Sequence, residues 1–278
     1  MKLRERESSS LETKFIEEHF DYLKKIDLSI EETLERYSDH PLFGPMSYSL
    51  KGGKRLRPLI CLLVNEGLGR RVDPLPAATA LELLHTVSLI HDDFIDRATV
   101  RRGVAPYYQA FGVESAFLAA DYVLGLILKI GSSYEERAVG DELAQTAVNM
   151  AHGEEEERRL LAAGRKVSVE EYQYVLRLKT ASLFGASASI GALLSSKKGS
   201  APSMARFGER IGMAYQIRDD LLDMEKEREL VSLLEPADKK GFLDARATEY
   251  ISQATEEMRG FPEGPAVEKL RRLLSDYF

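Results

Sequence analysis

The sequence holds one cysteine, Cys61, so no intramolecular disulfide can form, which suits a reducing compartment. Cys61 sits in the apolar run Leu59–Val64, where a buried packing thiol is expected rather than a nucleophile. Long apolar runs are missing as well. Tracts such as Tyr122–Leu128 fall well short of the roughly 20 residues needed to span a bilayer. Met1–Ser10 is charged and then serine-rich, with no apolar stretch behind it, so no secretory signal is expected and the reading is a cytoplasmic protein. Strand signals are scarce: β-branched alternation is rare, and no Asn-Gly or Asp-Gly hairpin turn occurs. No Ser/His/Asp or reactive-cysteine arrangement for covalent catalysis stands out. A net charge of −7 over 278 residues gives no reason to expect a nucleic-acid partner, although local basic clusters can still bind anions.

What is present is helical periodicity. Apolar residues spaced by three and four predict helices over Ala77–Ile95, Ser115–Ile130, Leu143–Leu161, Val169–Leu194 and Met204–Leu222. Ser8–Ser10 is read as the cap of a further helix through Glu12–Tyr37. Breaks fall near Asp39–Pro45, Lys51–Gly53, Arg97–Pro106, Ala163–Lys166 and Leu234–Gly241. Such short loops suit helices packed against their sequence neighbours. With no Pro/Ser-rich linker and no fixed-period repeat, residues 1–278 are expected to form a single all-α domain.

Two acidic clusters carry the chemistry. His91-Asp92-Asp93-Phe94-Ile95-Asp96 closes one apolar helical run, and Asp219-Asp220-Leu221-Leu222-Asp223 closes another. Positions four apart share a helix face, and like charges there cost roughly a few tenths of a kcal/mol. One such triplet is usually a solvated helix end. Two of identical spacing, each closing a hydrophobic helix, point to divalent cations instead. Magnesium takes one or two carboxylates plus substrate phosphates, so two such clusters would hold a polyphosphate through metal bridges. The remaining phosphate charge needs cations. The sequence offers Lys54, Arg55 and Arg57 after Gly52-Gly53, the pair Arg101-Arg102, and Lys179-Thr180. Each alone is more often a surface charge; together with the aspartates they suit an anion–metal complex.

These residues resemble the polyprenyl synthetase family of trans-isoprenyl diphosphate synthases. Gly52-Gly53-Lys54-Arg55-Leu56-Arg57-Pro58 is similar to its glycine–lysine–arginine motif. Glu82 through Asp93 leads into its first aspartate-rich motif, with Arg101-Arg102-Gly103 following, and Tyr215-Gln216-Ile217-Arg218-Asp219-Asp220 introduces the second. Lys179 through Phe184 lies between them, and the likeness runs from about Gly52 to Asp223. The resemblance implies an orthogonal bundle of about a dozen helices around a deep cavity, usually as a homodimer. It implies that Asp92, Asp93, Asp96, Asp219, Asp220 and Asp223 bind Mg²⁺, three ions per active site, bridging the allylic diphosphate. It places Arg101, Lys179, Thr180 and Gln216 on that substrate, with Asp92, Asp93, Asp96, Lys179 and Asp219 carrying catalysis. Lys54, Arg57, His85 and Arg102 would hold isopentenyl diphosphate. The implied activity is a condensation: diphosphate leaves, the isopentenyl double bond attacks the allylic cation, and a proton is lost.

In that family the helix before the first aspartate motif lines the cavity. Here Val87 and Ser88 stand five and four residues before Asp92, with Leu84 a turn earlier, so products of twenty carbons or more are expected. The other reading makes Val87 and Ser88 packing positions and leaves the floor to Phe117 or Tyr122. After Asp223 the usual Gly-Lys loop is missing, leaving Lys226 or Lys239-Lys240 as substitutes. That loss keeps open an isoprenoid-binding subunit of low activity. A terpene cyclase would share only the first cluster. A di-iron bundle would need a second partner for Glu82-x-x-His85.

Overall fold

The structure, a computed structural model, describes residues 2–224, 229–236 and 238–277, excepting the side chains of residues 2–12, 223 and 277. Twelve α-helices occur among the described residues: α1 (Lys2–Glu35), α2 (Phe43–Ser49), α3 (Leu56–Gly67), α4 (Leu75–Ile95), α5 (Tyr107–Phe111), α6 (Val113–Ser132), α7 (Ala138–Ala163), α8 (Val169–Leu176), α9 (Ser182–Leu193), α10 (Ala201–Asp223), α11 (Lys239–Glu257) and α12 (Pro265–Tyr277). The only β pairing among those residues is in isolated bridges, so the all-α expectation holds. No described helix is long and apolar enough to cross a membrane. The chain divides into two compact units: the segment through Leu62 with Asp73–Leu143, and Leu63–Val72 with the chain from Ala144 on.

The first unit is organised on α4. From Ala77 to Leu84 every residue of this helix is buried, as expected of a helix packed on several sides. It lies against α6 and α1. Its N-terminal amides need an acceptor, because Pro74 at the cap position offers no side-chain oxygen. Tyr134 fills that gap: its hydroxyl accepts from the Ala77 N–H at 3.1 Å and donates to the Asp73 carbonyl at 2.9 Å.

The second unit is built on the α9–α10 contact. A methyl group at Gly212 would lie 2.6 Å from Ala181 Cα, and one at Gly208 would collide with the Phe184 carbonyl. Glycine is therefore what lets these two backbones touch. Around α8 and α10 a core gathers Leu160, Tyr172, Leu176, Ile217, Leu243 and Tyr250. Ser168 and Glu171 start α8 with reciprocal side-chain-to-amide bonds, a capping box.

The sequence reading departs from this picture at α2 and α11, which run into the expected breaks at Asp39–Pro45 and Leu234–Gly241, and in two helical stretches. Ser8–Ser10 does not start a helix; α1 runs through it from Lys2, since interior serine costs only about 0.5 kcal/mol relative to alanine. The stretch Val169–Leu194 is helical throughout but not uniformly so. A π-helical turn, Arg177–Ala181, separates α8 from α9.

Candidate active site

In the first unit the glycine–lysine–arginine segment forms a tight turn. Gly52 and Gly53 adopt φ of +73° and +95°, the left-handed region where a side chain is strained. The guanidinium of Arg102 lies on this turn and donates to the Lys51 and Gly52 carbonyls, both at 3.1 Å. A Cβ at Gly53 would sit 2.7 Å from Arg102 Nη2, so Gly53 serves both the turn and the approach of the arginine. Arg102 is itself presented by the turn Arg101–Val104, closed by paired backbone bonds between those two residues.

The three basic groups of this segment have different fates. Arg55 turns inward, donating to Glu82 Oε1 at 2.6 Å, Asp27 Oδ1 at 3.0 Å and the Leu50 carbonyl. It anchors the loop and is not a ligand group. Lys54 stays exposed, while half-buried Arg57 reaches His85, with Nη1 at 3.3 Å from Nε2. Burial holds the His85 pKa well below the usual histidine range, and Arg57, Arg102, Arg101 and Arg55 push the same way. A neutral His85 accepts from Arg57 and adds no charge of its own. Glu82, bound to Arg55, is committed elsewhere, which removes the di-iron reading.

The first aspartate motif occupies the last turn of α4. Asp93 is buried and bonded by Arg101, at 2.5 Å from Nη2 and 2.8 Å from Nε. Asp92 is half-buried and Asp96 exposed. A cavity of about 370 Å³ opens beside them, lined by Lys51, Gly52, Thr86, Asp93, Arg101 and Arg102.

In the second unit, Lys179 stands in the π turn with its ammonium 2.5 Å from both Glu154 and Glu157 of α7. Gly153 permits the approach, since a Cβ there would lie 2.5 Å from the Lys179 amide nitrogen. Buried Thr180 donates to Gln216 Oε1 at 2.9 Å, Gln216 Nε2 donates to Asp220 Oδ1 at 2.8 Å, and the Tyr172 hydroxyl donates to Asp220 Oδ2 at 2.5 Å. Burial pushes the Asp220 carboxyl up to about 6, against the downward pull of its bonds from Tyr172 and Gln216. Asp219 is half-buried at the end of α10, and the side chain of Asp223 lies outside the described residues.

Glu154, Glu157 and Tyr172 were not singled out by the sequence. The run Glu154-Glu155-Glu156-Glu157 looks like a solvated acidic face, and half of it is: Glu155 and Glu156 pair with Arg158 and Arg159. The i,i+3 spacing that sets Glu154 and Glu157 on the other face, directly after a glycine, is the signal that was there to find. Of the lysines expected to replace the missing loop, Lys239 donates to the Ser232 carbonyl, and Lys226 lies outside the described residues.

Magnesium fits these residues in one respect and meets a limit in another. Both motifs end their helices, where carboxylates face the negative end of the helix dipole, and neither α4 nor α10 has a basic residue in its last turn. Such carboxylates favour an added cation. Among the described residues, however, no three acidic, histidine or cysteine side chains come together as a ready cage. The donor set suits a cation that keeps its waters and takes the rest of its ligands from a diphosphate.

The family model for polyprenyl synthetase matches residues 39–232. The chain is 33% identical over 281 residues to geranylfarnesyl diphosphate synthase of Methanosarcina mazei, covering 94% of this chain and 93% of that protein. It is 33% identical over 221 residues to the geranylgeranyl diphosphate synthase of the same organism, covering 77% and 68%. The solved geranylgeranyl pyrophosphate synthetase from Geoglobus acetivorans superposes with a TM-score of 0.82 at 28% identity, over 94% of this chain and 97% of that one. With the motifs seated on helix ends and turns as described, this chain belongs to the polyprenyl synthetase family and is an all-helical trans-prenyltransferase.

Proposed function

We propose that the chain extends an allylic diphosphate with isopentenyl diphosphate to a linear product of twenty carbons or more, and that the two substrates are held by different chemistry. The observation that carries this is Arg102 seated on the Gly52-Gly53 turn, with Arg57 on His85 close by in the same unit. These groups, with Lys54, suit direct contact with the isopentenyl diphosphate. Arg101, Lys179, Thr180 and Gln216 serve the allylic diphosphate. Asp92, Asp96, Asp219 and Asp223 are the magnesium ligands of this proposal. Asp93 acts mainly by fixing Arg101, to which it is already bonded.

The family is magnesium-dependent; we take three ions per site. When bound, magnesium supplies charge to the departing diphosphate and lowers the cost of forming an allylic cation. The protein's part is to fix both diphosphates, to exclude water from the cation and to leave the released diphosphate near the proton that must be lost. No side-chain nucleophile is needed.

Val87 and Ser88 are small, so neither carries a bulky group that would end chain growth early. Phe117 is exposed and Tyr122 stacks on His40, which makes them poorer candidates for a floor. We further propose a single catalytic domain, a homodimer and a cytoplasmic location. Incubation with Mg²⁺, isopentenyl diphosphate and allylic diphosphates of several lengths, followed by mass analysis, tests the reading. Linear diphosphates of at least twenty carbons are expected. Cyclic hydrocarbons or no turnover would overturn it, and an unchanged product length in Ser88→Phe would remove the assignment of α4 as the wall that sets length.

A further inference from the structure

Thr180, Gln216, Asp220 and Tyr172 form one hydrogen-bonded chain whose direction is set from its far end. Tyr172 is fully buried in the core of the second unit, and beside an acceptor-only carboxylate its hydroxyl must donate. It donates to Asp220 Oδ2 at 2.5 Å. The other oxygen, Oδ1, accepts from Gln216 Nε2 at 2.8 Å. An ionised carboxylate can only accept, whereas a primary amide can turn over and offer either end. Beside Asp220 the Gln216 amide has one choice. Its NH₂ must face the carboxylate, which leaves Oε1 on the opposite side, where the Thr180 hydroxyl donates to it at 2.9 Å. A carbonyl oxygen has a second lone pair, and Thr180 uses only one.

We propose that Asp220 is a positioning residue rather than a magnesium ligand, and that it locks the Gln216 amide with its carbonyl oxygen toward the allylic substrate. This rests on the reading above in which Gln216 and Thr180 touch that substrate. The consequence follows from charge. An oriented oxygen puts the negative end of a dipole at the carbon where positive charge develops. The flipped amide would present its NH₂ there and oppose ionisation. A preorganised dipole needs no rearrangement during the reaction, which is why its orientation affects rate more than binding. Asp220 is then part of the aspartate-rich motif for a reason other than metal. It supplies an acceptor-only group, each of whose oxygens is held by one donor inside the protein.

The test uses the purified full-length chain. Asp220→Asn keeps the volume but can both donate and accept, so the amide is no longer locked. We expect kcat to fall about ten- to a hundredfold, less than the roughly hundred- to thousandfold for removing an oriented dipole outright, with the allylic KM little changed. Mn²⁺ affinity, followed by electron paramagnetic resonance, should be unaltered in Asp220→Asn and weakened in Asp219→Asn. The double variant Asp220→Asn/Gln216→Glu places an acceptor-only group at 216 beside a donor at 220, and should recover most of the lost rate. Tyr172→Phe loosens the same lock and should give a smaller kcat loss, which serves if Asp220→Asn does not fold. An unchanged kcat in Asp220→Asn, a loss of Mn²⁺ affinity in step with kcat, or a double variant no faster than the single one would each overturn the proposal. Gln216→Leu separates this failure from that of the underlying reading. If Gln216→Leu leaves kcat intact, Gln216 does not touch the allylic substrate; if it slows the enzyme while Asp220→Asn does not, only the lock is wrong.

Discussion

The two aspartate motifs close their helices alike, yet the charge around them is of opposite character. Beside the first, arginines gather: Arg57, Arg101 and Arg102 surround His85, Asp93 is matched by Arg101, and Glu82 by Arg55. Beside the second, among the described residues, Lys179 lies between Glu154 and Glu157, and Asp220 is bonded by the neutral donors Tyr172 and Gln216. The first region can grip a diphosphate directly. In the function proposed above, the second needs metal ions to meet a diphosphate. In the same proposal, the turn that seats Arg102 holds the diphosphate that stays, while Arg101 and the aspartates of both motifs serve the one that departs.

The sharpest way to break the comparison is to remove a half-buried carboxylate from each motif. Asp92→Ala and Asp219→Ala should each lower kcat by about a thousandfold or more, with circular dichroism and thermal midpoint unchanged, because metal stabilisation of a leaving group is worth several kcal/mol. Activity surviving both changes would end the metal-bridge reading of either region.

Next in size is the structural pair behind the first region. Arg55→Leu strands Glu82, whose side chain is 2% exposed, and should cost about 3–5 kcal/mol in urea unfolding. Arg55→Leu/Glu82→Leu should recover most of that loss. If the single change costs under 1 kcal/mol, Arg55 is not the anchor described, and its cation belongs with the substrate group instead.

A smaller effect is expected from Gly53→Ala. Its φ of +95° strains a side chain by about 1–2 kcal/mol, and the new methyl group displaces Arg102. The KM for isopentenyl diphosphate should rise roughly tenfold, as that energy implies, while the allylic KM stays put. A rise in both would show that the two regions do not divide the substrates.

The smallest effect is a pH slope. His85 has a native pKa below its unfolded value near 6.5, owing to burial and to the surrounding Arg57, Arg102, Arg101 and Arg55. Below about 6.5 the unfolded chain takes up a proton that the native chain refuses, so His85 makes stability fall as pH drops, until the native pKa is reached. His85→Gln should flatten this part of the slope between pH 7.5 and 5 in denaturant titrations. An identical slope would mean that His85 is not held neutral.

Much of this was legible in the sequence, for a physical reason. Periodicity and acidic spacing are local, and so α4, α6, α7 and α10 fall close to where three-and-four spacing placed them. The short α2, and α11 and α12 beyond the recognisable motifs, were not anticipated; α11 is interrupted by charge and has only four buried residues along its length. Site residues were legible as types but not as jobs. Nothing local to Arg55 says that its guanidinium turns inward while Arg57 reaches a histidine, because the decision lies with Glu82 and Asp27, which are distant in sequence. Glu154 and Glu157 were hidden by their resemblance to Glu155 and Glu156. Only Lys179, on another element, tells them apart.

The π turn at Arg177–Ala181 bears on the chain's tolerance of change in length rather than composition. Such a turn usually carries one residue beyond what an α-helix of the same span needs. Each residue advances a helix by about 100°. Deleting one residue there would yield a smoother helix, locally no worse, but everything after it would be out of phase. The backbone that meets Gly208 and Gly212 would then be replaced by a face with side chains, and the α9–α10 contact could not form. For this stretch the number of residues is as much a constraint as their identity.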